Sequence, residues 1–291
     1  MSLPVTLVEG TLLSVTGKAH RVKLYNDVSG GCINACYKVV TDSDTYFVKV
    51  NDTKRYPDMC KLEAMGLLKL EEAVAGSTPA VIGFADDDEK QIVVMEWVET
   101  EGSNKGNWDQ LGEMLADIHR QSDAQFGYRT DNYMGSLPQL NDRYDSFTDF
   151  FVQSRIDPML KQSIDSGKLD RSASAQFQQI AAKLESLIPA EEPSLVHGDL
   201  WSGNFMFRAD LSPLFIDPAI AYSHREADLA MTRLFGGFDA AFYRSYMYRH
   251  PTEPSWEDRI DLFNLYPLLV HVILFGGGYT RQVDNILRKY S

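Results

Sequence analysis

The chain has few cysteines. Cys32, Cys36 and Cys60 are the three among its 291 residues, and all lie within the first sixty. An odd number at one end is not the disulfide framework of a small secreted domain. No cationic segment followed by an apolar stretch begins the sequence, so we expect reduced thiols and a cytoplasmic location.

Basic residues are also scarce. The sequence has 28 Lys and Arg residues against 41 Asp and Glu residues, a formal net charge of −13. That balance opposes long-range attraction to nucleic-acid backbones or anionic lipid, although a local basic pocket could still hold a nucleotide phosphate. We expect no nucleic-acid partner and no membrane partner.

The sequence lacks an uninterrupted apolar run long enough for a membrane span. The best candidate, residues 262–279, contains Asn264, Pro267, His271 and three consecutive glycines. A helical span needs about 20 predominantly apolar residues. A buried core helix that ends at the glycines explains this segment better.

Neither internal repeats nor low-complexity linkers occur. The sequence instead has 44% apolar and 24% charged residues, a composition typical of a folded globular chain. At about 150 residues per domain, the length allows two lobes, each with a core of its own. A small module held together by disulfides or metals is excluded.

The first hundred residues are rich in strand patterns. Short segments with β-branched or aromatic residues are separated by Gly30, Gly31 and polar turns, and one segment has a helical period. The predicted strands are 21–27, 35–41, 45–50, 80–84 and 91–97, and the predicted helix is 57–75. The acidic run 86–89 is typical of a solvated hairpin turn, with a cation site as the alternative.

After residue 98 the apolar period changes to about 3.6 residues. The predicted helices are 108–121, 146–166, 173–187, 226–234 and 262–275. Together these patterns predict an α+β fold with two lobes. Residues 1–98 form a small lobe of antiparallel sheet plus one helix, and residues 99–291 form a larger, mostly helical lobe.

The strongest motif lies between two predicted strands, 194–196 and 204–207. His197, Asp199 and Asn204 match H-x-D-x-x-x-x-N, the catalytic-loop spacing of protein-kinase-like phosphotransferases. A carboxylate can orient an attacking hydroxyl and take its proton, so we assign Asp199 as general base. The alternative is that these are turn residues at strand ends.

Asp217 follows a third predicted strand, which begins near Pro213. A hairpin there would place Asp217 beside Asn204. Carboxylate and amide oxygens suit Mg²⁺, a hard ion that prefers oxygen ligands. We therefore predict that Asn204 and Asp217 bind Mg²⁺.

Lys49 interrupts an otherwise apolar strand, a costly position unless its ammonium group meets anions. Glu63 lies on the following helix between apolar positions. It has the right placement to clamp Lys49 and aim it at the α and β phosphates of ATP. A surface lysine and an ordinary helix glutamate are the alternative interpretation.

Two further segments are candidates for contact with ATP. Glycines such as Gly30 and Gly31, between the first two strands, allow close backbone approach to phosphates. A second segment runs from a strand into the connector between the lobes, where a kinase hinge offers backbone groups of Glu96 and Val98 to adenine. Its residues are Met95, Glu96, Trp97 and Val98.

The order of these residues resembles the kinase-like phosphotransferases of the aminoglycoside and choline kinase group. Longer segments resemble one family more closely, the fructosamine and ribulosamine kinases, or ketosamine 3-kinases. These segments are 131–139 (DNYMGSLPQ), 197–204 (HGDLWSGN), 216–219 (IDPA) and 224–232 (HREADLAMT). The resemblance extends roughly from Gly30 to Tyr279 and implies a bilobal protein-kinase-like fold.

The resemblance also implies an activity. It is the ATP- and Mg²⁺-dependent phosphorylation of the 3-hydroxyl of a ketoamine, the rearranged adduct of a reducing sugar with a small amine or a protein lysine. Once the C1–C2 enaminol forms, phosphate leaves C3 and hydrolysis releases the amine. The enzyme would thus begin deglycation, a form of protein repair.

Four further residues receive roles from the resemblance. Trp201 could stack on the apolar face of a sugar chain or simply pack within its loop. Asp228 resembles the buried aspartate that binds catalytic-loop N–H groups, and His197 is assigned to the same framework. Cys32 lies in the glycine loop, as in relatives where it is thought to sense redox state. We expect a monomer, with a redox-dependent dimer through Cys32 as a hypothesis.

Two other functions compete with this one. A small-molecule alcohol kinase for choline, ethanolamine, homoserine or an aminoglycoside would share Asp199, Asn204 and Asp217, but Trp201 and the 224–232 segment favour the ketoamine kinases. A non-catalytic pseudokinase acting as a binding module would be expected to lack one of these groups or Lys49, and all four are present.

Overall fold

The computed structural model describes residues 2–28, 33–100 and 105–291. The chain divides into two compact units. The sheet unit comprises Met1–Asn107 with Phe205–Pro218, and the helical unit comprises Trp108–Asn204 with Ala219–Ser291. From the sequence we also expect residues 1–98 to bind ATP and residues 99–291 to carry catalysis and substrate binding, and this division of function stays a prediction.

A five-stranded antiparallel sheet forms the centre of the sheet unit, in the order β1-β2-β3-β5-β4. Its strands are β1 (Val22–Asp27), β2 (Ala35–Thr41), β3 (Thr45–Asp52), β4 (Val81–Asp86) and β5 (Lys90–Glu96). All five predicted strands are confirmed, with ends that differ by one or two residues. The acidic run is a turn between β4 and β5, in which Asp87 accepts hydrogen bonds from the N–H groups of Glu89 and Lys90.

Strand alternation gives the sheet two apolar faces, each covered by a helix. Helix α1 (Val5–Thr16) covers the face that includes Val48, Val50 and Val94. Helix α2 (Met59–Ala73) covers the opposite face, with Phe47 and Met95. Because side chains alternate along a strand, Lys49 belongs with Phe47 to the face that α2 covers.

Helix α1 corrects the prediction of one helix in this lobe. Its sequence, VTLVEGTLLSVT, combines β-branched residues with a glycine, all weak helix formers. Burial of Val8 and Leu12 against the sheet stabilises the helix instead. Tertiary packing thus overrides local propensity here.

A hairpin from much later in the sequence completes the sheet unit. Strands β9 (Phe205–Phe207) and β10 (Pro213–Phe215) pair antiparallel, with Phe205 opposite Phe215. The N–H of Phe215 donates to the carbonyl of Ser77 at 2.7 Å. Both strands are predicted from sequence, but their place with the N-terminal residues is not.

The helical unit contains long helices and short strand pairs. Strand β8 (Ser194–Val196) pairs with β11 (Ala221–Ser223), and β6 (Asn132–Met134) pairs with β7 (Leu137–Gln139). The helices are α3 (Trp108–His119), α4 (Phe147–Phe150), α5 (Asp157–Asp165), α6 (Ser172–Ala181), α7 (Leu184–Leu187), α8 (Glu226–Leu234), α9 (Ala240–Arg249), α10 (Ile260–Phe275) and α11 (Gly278–Tyr290).

Several helix predictions need correction. The segment predicted as one helix over 146–166 is α4, a π-helical turn (Phe151–Ile156) and α5 in succession. The helix predicted over 173–187 breaks between α6 and α7. Phe177, Ile180 and Leu184 keep a spacing of three to four residues across that break, so periodicity cannot locate it. Helices α9 and α11 are not predicted.

Helix α10 forms the centre of the largest apolar core, as predicted for 262–275. Leu265, Leu268, Leu269 and Val272 are buried there, and the helix ends at Gly276, whose φ is +66°. Within the described part of the chain, none of the helices has the length and apolar character needed to cross a bilayer.

A buried ion pair supports α8, the helix that carries Asp228. Glu226 is 1% exposed and accepts two hydrogen bonds from the guanidinium of Arg259, at 2.7 and 2.5 Å. Arg259→Met should lower the free energy of unfolding by about 3 kcal/mol, because it leaves a buried carboxylate unpaired. Urea titration measures this change.

Two variants control that experiment. Glu226→Gln combined with Arg259→Met should recover much of the stability, since no buried charge is left. Lys161→Met removes an exposed helix pair with Asp165 and should leave stability unchanged. An Arg259→Met protein as stable as the Lys161→Met protein would contradict the assigned role.

Candidate active site

The predicted catalytic loop, residues 197–204, follows β8 in the helical unit. Asn204 folds back over it and donates its amide hydrogens to the carbonyl oxygen of Asp199 at 2.8 Å and to Oδ2 of the same residue at 3.0 Å. The N–H of Asn204 donates to the carbonyl of Trp201 at 2.9 Å. One residue thus fixes both the backbone and the carboxylate of Asp199.

A buried carboxylate holds the start of this loop. Asp228 on α8 is 1% exposed, and its two oxygens accept hydrogen bonds from the N–H groups of His197 at 2.7 Å and Gly198 at 2.8 Å. Burial alone would raise the pKa of Asp228, but the hydrogen bond from His119, the electrostatic interactions with the His119 and His197 rings, and the N–H of Gly198 lower it below its usual value. Asp228 is therefore ionised at neutral pH.

His119 lies behind Asp228. Its Nε2 is 3.1 Å from Oδ2 of Asp228, and its Nδ1 is 2.7 Å from the hydroxyl of Tyr246. A carboxylate only accepts hydrogen bonds, so Nε2 of His119 donates to Asp228. From the sequence, His119 at the end of a predicted helix indicates only packing and capping, so this contact is missed. The apolar periodicity of α3, which places His119 on the buried face of the helix, is the sequence signal that indicates a buried role.

His197 is fully buried and belongs to the loop framework. Its Nδ1 accepts a hydrogen bond from the N–H of Asp199 at 3.2 Å. A ring nitrogen that accepts from a backbone N–H carries no proton of its own. This geometry fits the predicted supporting role, and Asp199 stays the candidate for proton transfer.

Gly198 and Ala219 lie in close contact beside Asp199. The N–H of Ala219 donates to the carbonyl of His197 at 2.8 Å. Gly198 has φ of +85°, and a Cβ at this position would lie 2.0 Å from the carbonyl oxygen of Ala219. Only glycine fits both the left-handed backbone and the close approach.

Trp201 lies two residues after Asp199 and is 38% exposed. Its ring packs edge-to-face on Phe235, with ring centroids 6.0 Å apart, and a Cβ on Gly203 would collide with it at 2.4 Å. Loop packing and an accessible indole therefore coexist. Contact with a sugar stays a prediction.

Lys49 and Glu63 meet in the sheet unit. The Lys49 Nζ lies 2.6 Å from Oε1 of Glu63, and the two side chains are only 5% and 11% exposed. Lys49 also donates to Oδ1 of Asp217. Burial lowers the pKa of Lys49, but the two carboxylates outweigh that effect and raise it above the usual value. The ammonium group is thus charged and ordered.

Asp217 reaches Lys49 because of an unusual backbone. It follows β10 by two residues and has φ of +55°, a left-handed conformation that Asp tolerates better than most residues. Its side chain is 44% exposed while one oxygen is bonded to Lys49. The second carboxylate oxygen can therefore serve a cation.

The donor atoms present fit the predicted Mg²⁺. Asp217 offers a carboxylate oxygen, and Asn204 uses its amide nitrogen on Asp199, so the oxygen is its remaining ligand atom. These are hard oxygen donors, as Mg²⁺ requires. The convergence of Asn204 and Asp217 on one ion stays a prediction.

The hinge prediction is refined at one atom. The N–H of Glu96 donates to the carbonyl of Ala80 at 2.9 Å, so an adenine contact at Glu96 would use its carbonyl group. The Glu96 carboxylate accepts from Arg208 at 2.7 Å. Met95 is buried in the core under α2, whereas Trp97 and Val98 are half-buried beyond the end of β5.

The cysteines divide into two groups. Gly30, Gly31 and Cys32 lie outside the described residues, so the glycine loop and the redox hypothesis stay predictions. Cys36 and Cys60 are buried free thiols. Burial raises the pKa of Cys36 to about 11, which keeps this thiol protonated and unreactive at neutral pH.

A second cluster with possible metal ligands occurs away from the catalytic loop. Atoms of Glu191, His224 and Glu226 lie within 4.8 Å of one another. Arg225 donates to both oxygens of Glu191, and Arg259 donates to both oxygens of Glu226. These carboxylates are neutralised by arginine, so the cluster is an ion-pair network.

Comparison with known proteins gives whole-length matches. The family profile described as fructosamine kinase matches residues 5–291. A Synechocystis sp. protein named "Probable ketoamine kinase" is 37% identical over 292 residues, which cover 98% of this chain and 96% of that protein. The chloroplastic protein-ribulosamine 3-kinase of Arabidopsis thaliana is 34% identical over 281 residues, which cover 94% of this chain and 84% of that protein.

Solved structures agree with the fold prediction. A crystal structure from Thermobifida fusca, described as a fructosamine-3-kinase, has a TM-score of 0.86 at 31% identity and covers 97% of both chains. A thermostable mutant of an aminoglycoside phosphotransferase has a TM-score of 0.61 at 16% identity and covers 97% of this chain and 98% of its own. The predicted protein-kinase-like fold class is confirmed.

Gly198→Ala tests the close contact beside Asp199. The substitution adds both left-handed strain and a clash with Ala219, and should lower the free energy of unfolding by more than about 2 kcal/mol. Gly167→Ala is the matched control, because Gly167 has φ of +71° with nothing within 4 Å of a built Cβ. Its cost should be about 1 kcal/mol. Equal losses in urea titration would show that the contact is not tight.

Proposed function

The chain belongs to the fructosamine kinase family, and on that premise we propose that it is an ATP-dependent ketoamine 3-kinase. It transfers a phosphoryl group to the 3-hydroxyl of a ribulosamine or fructosamine. The observation that carries the proposal is the match of nearly the whole chain to this family. The acceptor is a glycated amine, either a small molecule or a protein lysine.

Asp199 acts on the acceptor hydroxyl. Its Oδ2 accepts from Asn204, and the carboxylate accepts the hydrogen of the sugar 3-hydroxyl. Asp199 orients that oxygen for in-line attack and takes its proton as the new bond to phosphorus forms. Asn204 holds the Asp199 carboxylate directly, and Asp228 holds the backbone that precedes it.

Lys49 acts on the phosphate donor. Its side chain belongs to β3, and its ammonium group is held by Glu63. In the complex with ATP it would exchange part of its carboxylate contact for the α and β phosphates. Glu63 orders the Lys49 side chain before ATP binds. Less rotamer entropy is then lost on binding than for a free, flexible lysine.

Asn204 and Asp217 would hold Mg²⁺ through oxygen atoms. The bound ion would neutralise charge on the phosphates during transfer. Lys49, Glu63 and Asp217 carry an excess of one negative charge when both carboxyls are ionised. That excess favours a cation at Asp217.

The product is chemically labile, which gives the reaction its use. A phosphate at C3 is a leaving group once the C1–C2 enaminol has formed, and departs with the electron pair of the C3–O bond. Hydrolysis of the remaining adduct releases the free amine. The enzyme therefore begins deglycation.

Asp199→Asn tests the catalytic assignment. It should lower kcat for ribulose-lysine by about 100-fold or more, the usual loss for a general base, with little change in ATP affinity. ADP release measures turnover across ribulose-lysine, fructose-lysine, choline and kanamycin. Asp165→Asn, at an exposed helix position, is the matched control. Turnover of choline without turnover of ketoamines would contradict the proposed substrate class.

Lys49→Met tests the phosphate contact. It should raise the Kd for ATP at least about tenfold, because a hydrogen bond to a charged group contributes about 1.5–3 kcal/mol, and it should also lower kcat. Lys61→Met, a half-exposed lysine on the same α2 helix, is the control. Calorimetric titration with ATP gives the affinity, with circular dichroism to verify folding. Unchanged ATP affinity in folded Lys49→Met protein would refute the assignment.

A further inference from the structure

Gln139 lies at the end of β7 in the 131–139 segment, to which the mechanism above gives no role. It is 2% exposed. Its Oε1 accepts from the hydroxyl of Tyr266 at 2.9 Å, and its Nε2 donates to Oδ1 of Asn132 at 2.8 Å and to the carbonyl of Ala219 at 2.9 Å. The amide thus uses both hydrogens and its oxygen.

Ala219 connects Gln139 to the catalytic loop. Its carbonyl accepts from Gln139, and its N–H donates to the carbonyl of His197 at 2.8 Å. The same carbonyl occupies the space that a side chain on Gly198 would need. The position of Ala219 therefore fixes the backbone of His197 and Gly198, which lead directly into Asp199.

A buried polar network orients Gln139. Asn132 donates to the carbonyl of Ile220 at 2.9 Å, next to Ala219. Asn141 donates to Oδ1 of Asn132 at 3.2 Å and accepts from Arg155 at 2.7 Å. Buried networks of this kind allow little movement, because each group that loses its partner stays desolvated.

Tyr266 is the hydrogen-bond donor to Gln139 in this network. Burial raises the pKa of Tyr266 to about 12, with Arg155 opposing and Asp199 adding to the shift. The phenol therefore keeps its proton at neutral pH and donates it to Gln139. The guanidinium of Arg155 lies 5.3 Å from the Tyr266 ring centroid and limits its movement.

We propose that Gln139 is a positioning residue for phosphoryl transfer, which places Asp199 by holding the Ala219 carbonyl. This inference rests on the proposed function. Gln139 touches no reacting atom and acts through Ala219 and His197. A misplacement of about 1 Å at a catalytic group can reduce turnover about 100-fold, so the loop needs such a support.

The chemistry of the side chain makes the proposal specific. Leucine has the size of glutamine without a donor or acceptor. An ionised carboxylate would accept from Tyr266 but repel the Ala219 carbonyl, whereas a protonated carboxyl group would both accept and donate. Gln139→Leu and Gln139→Glu therefore separate packing from the hydrogen bond to Ala219.

The experiment measures kcat and KM of the full chain for ribulose-lysine and ATP from pH 5.5 to about 8.5, over the range in which every variant is folded by circular dichroism. Gln139→Leu should lower kcat at least about tenfold with KM for ATP changed less than about twofold. For Gln139→Glu, the ratio of its kcat to that of the wild type should rise as the pH falls, because protonation of the introduced carboxyl restores the donor.

Asn264→Leu is the matched control. Asn264 is a buried amide in the same unit that donates to the carbonyl of Ala230 at 2.9 Å, and its replacement should leave kcat within about twofold of wild type. If Gln139→Leu does not fold, the pH ratio of Gln139→Glu decides alone. Wild-type kcat in folded Gln139→Leu, or a Gln139→Glu ratio that is equally low at every pH, would overturn the proposal.

Failure of the proposed function is seen separately. It appears in the wild-type protein, as an absence of turnover with every ketoamine. The same comparison of Gln139 variants would then use whichever acceptor the wild type phosphorylates, or its hydrolysis of ATP without acceptor. A loss of kcat on that reaction supports the positioning role, and an unchanged kcat overturns it.

Discussion

The arrangement of the predicted catalytic loop depends on one buried carboxylate, Asp228, that must stay charged. Asp228 is removed from water, and its ionised form survives because two backbone N–H groups of the catalytic loop and His119 donate to it. Loss of any of these contacts would leave a desolvated charge, so the loop has little freedom to move. Asn204, Gly198 and Ala219 then specify where the Asp199 carboxylate lies.

The sheet unit likewise contains a buried charge that depends on its hydrogen-bond partners, but here the charge is positive. A buried ammonium group at Lys49 is stable only because Glu63 and Asp217 accept from it. Helix α2 is held against the sheet by Cys60, Ala64 and Leu67, which pack on the sheet face that Lys49 shares. This packing brings Glu63 to the side chain of Lys49. Burial beside two carboxylates thus gives an otherwise apolar strand one ordered, charged ammonium group.

Groups of this kind are predictable from sequence when a charge interrupts an apolar pattern. Lys49 is identified that way, and Glu63 follows from the helical period of α2. The spacing of Asp199 and Asn204 comes from a known loop geometry. The strands of the sheet are likewise evident, because period-two alternation is strong there.

Other features depend on contacts between distant segments and leave no local signal. His119 and Gln139 are single polar residues in ordinary-looking elements, and the contacts that give them a role, with Asp228 and Ala219, join residues 109 and 80 positions apart in sequence. Helix α1 forms against its propensity, and the break between α6 and α7 leaves the apolar spacing intact. Sequence can propose the reacting groups but not the framework that places them.

The proposed reaction places the phosphate on the oxygen at C3 of the ketoamine. Phosphorus and proton NMR of the product formed from ribulose-lysine and ATP identifies that oxygen directly. We expect a phosphate coupled to the proton at C3, followed by release of inorganic phosphate and free lysine. A phosphate on any other hydroxyl, or an unmodified ketoamine after prolonged incubation with active enzyme, would contradict it.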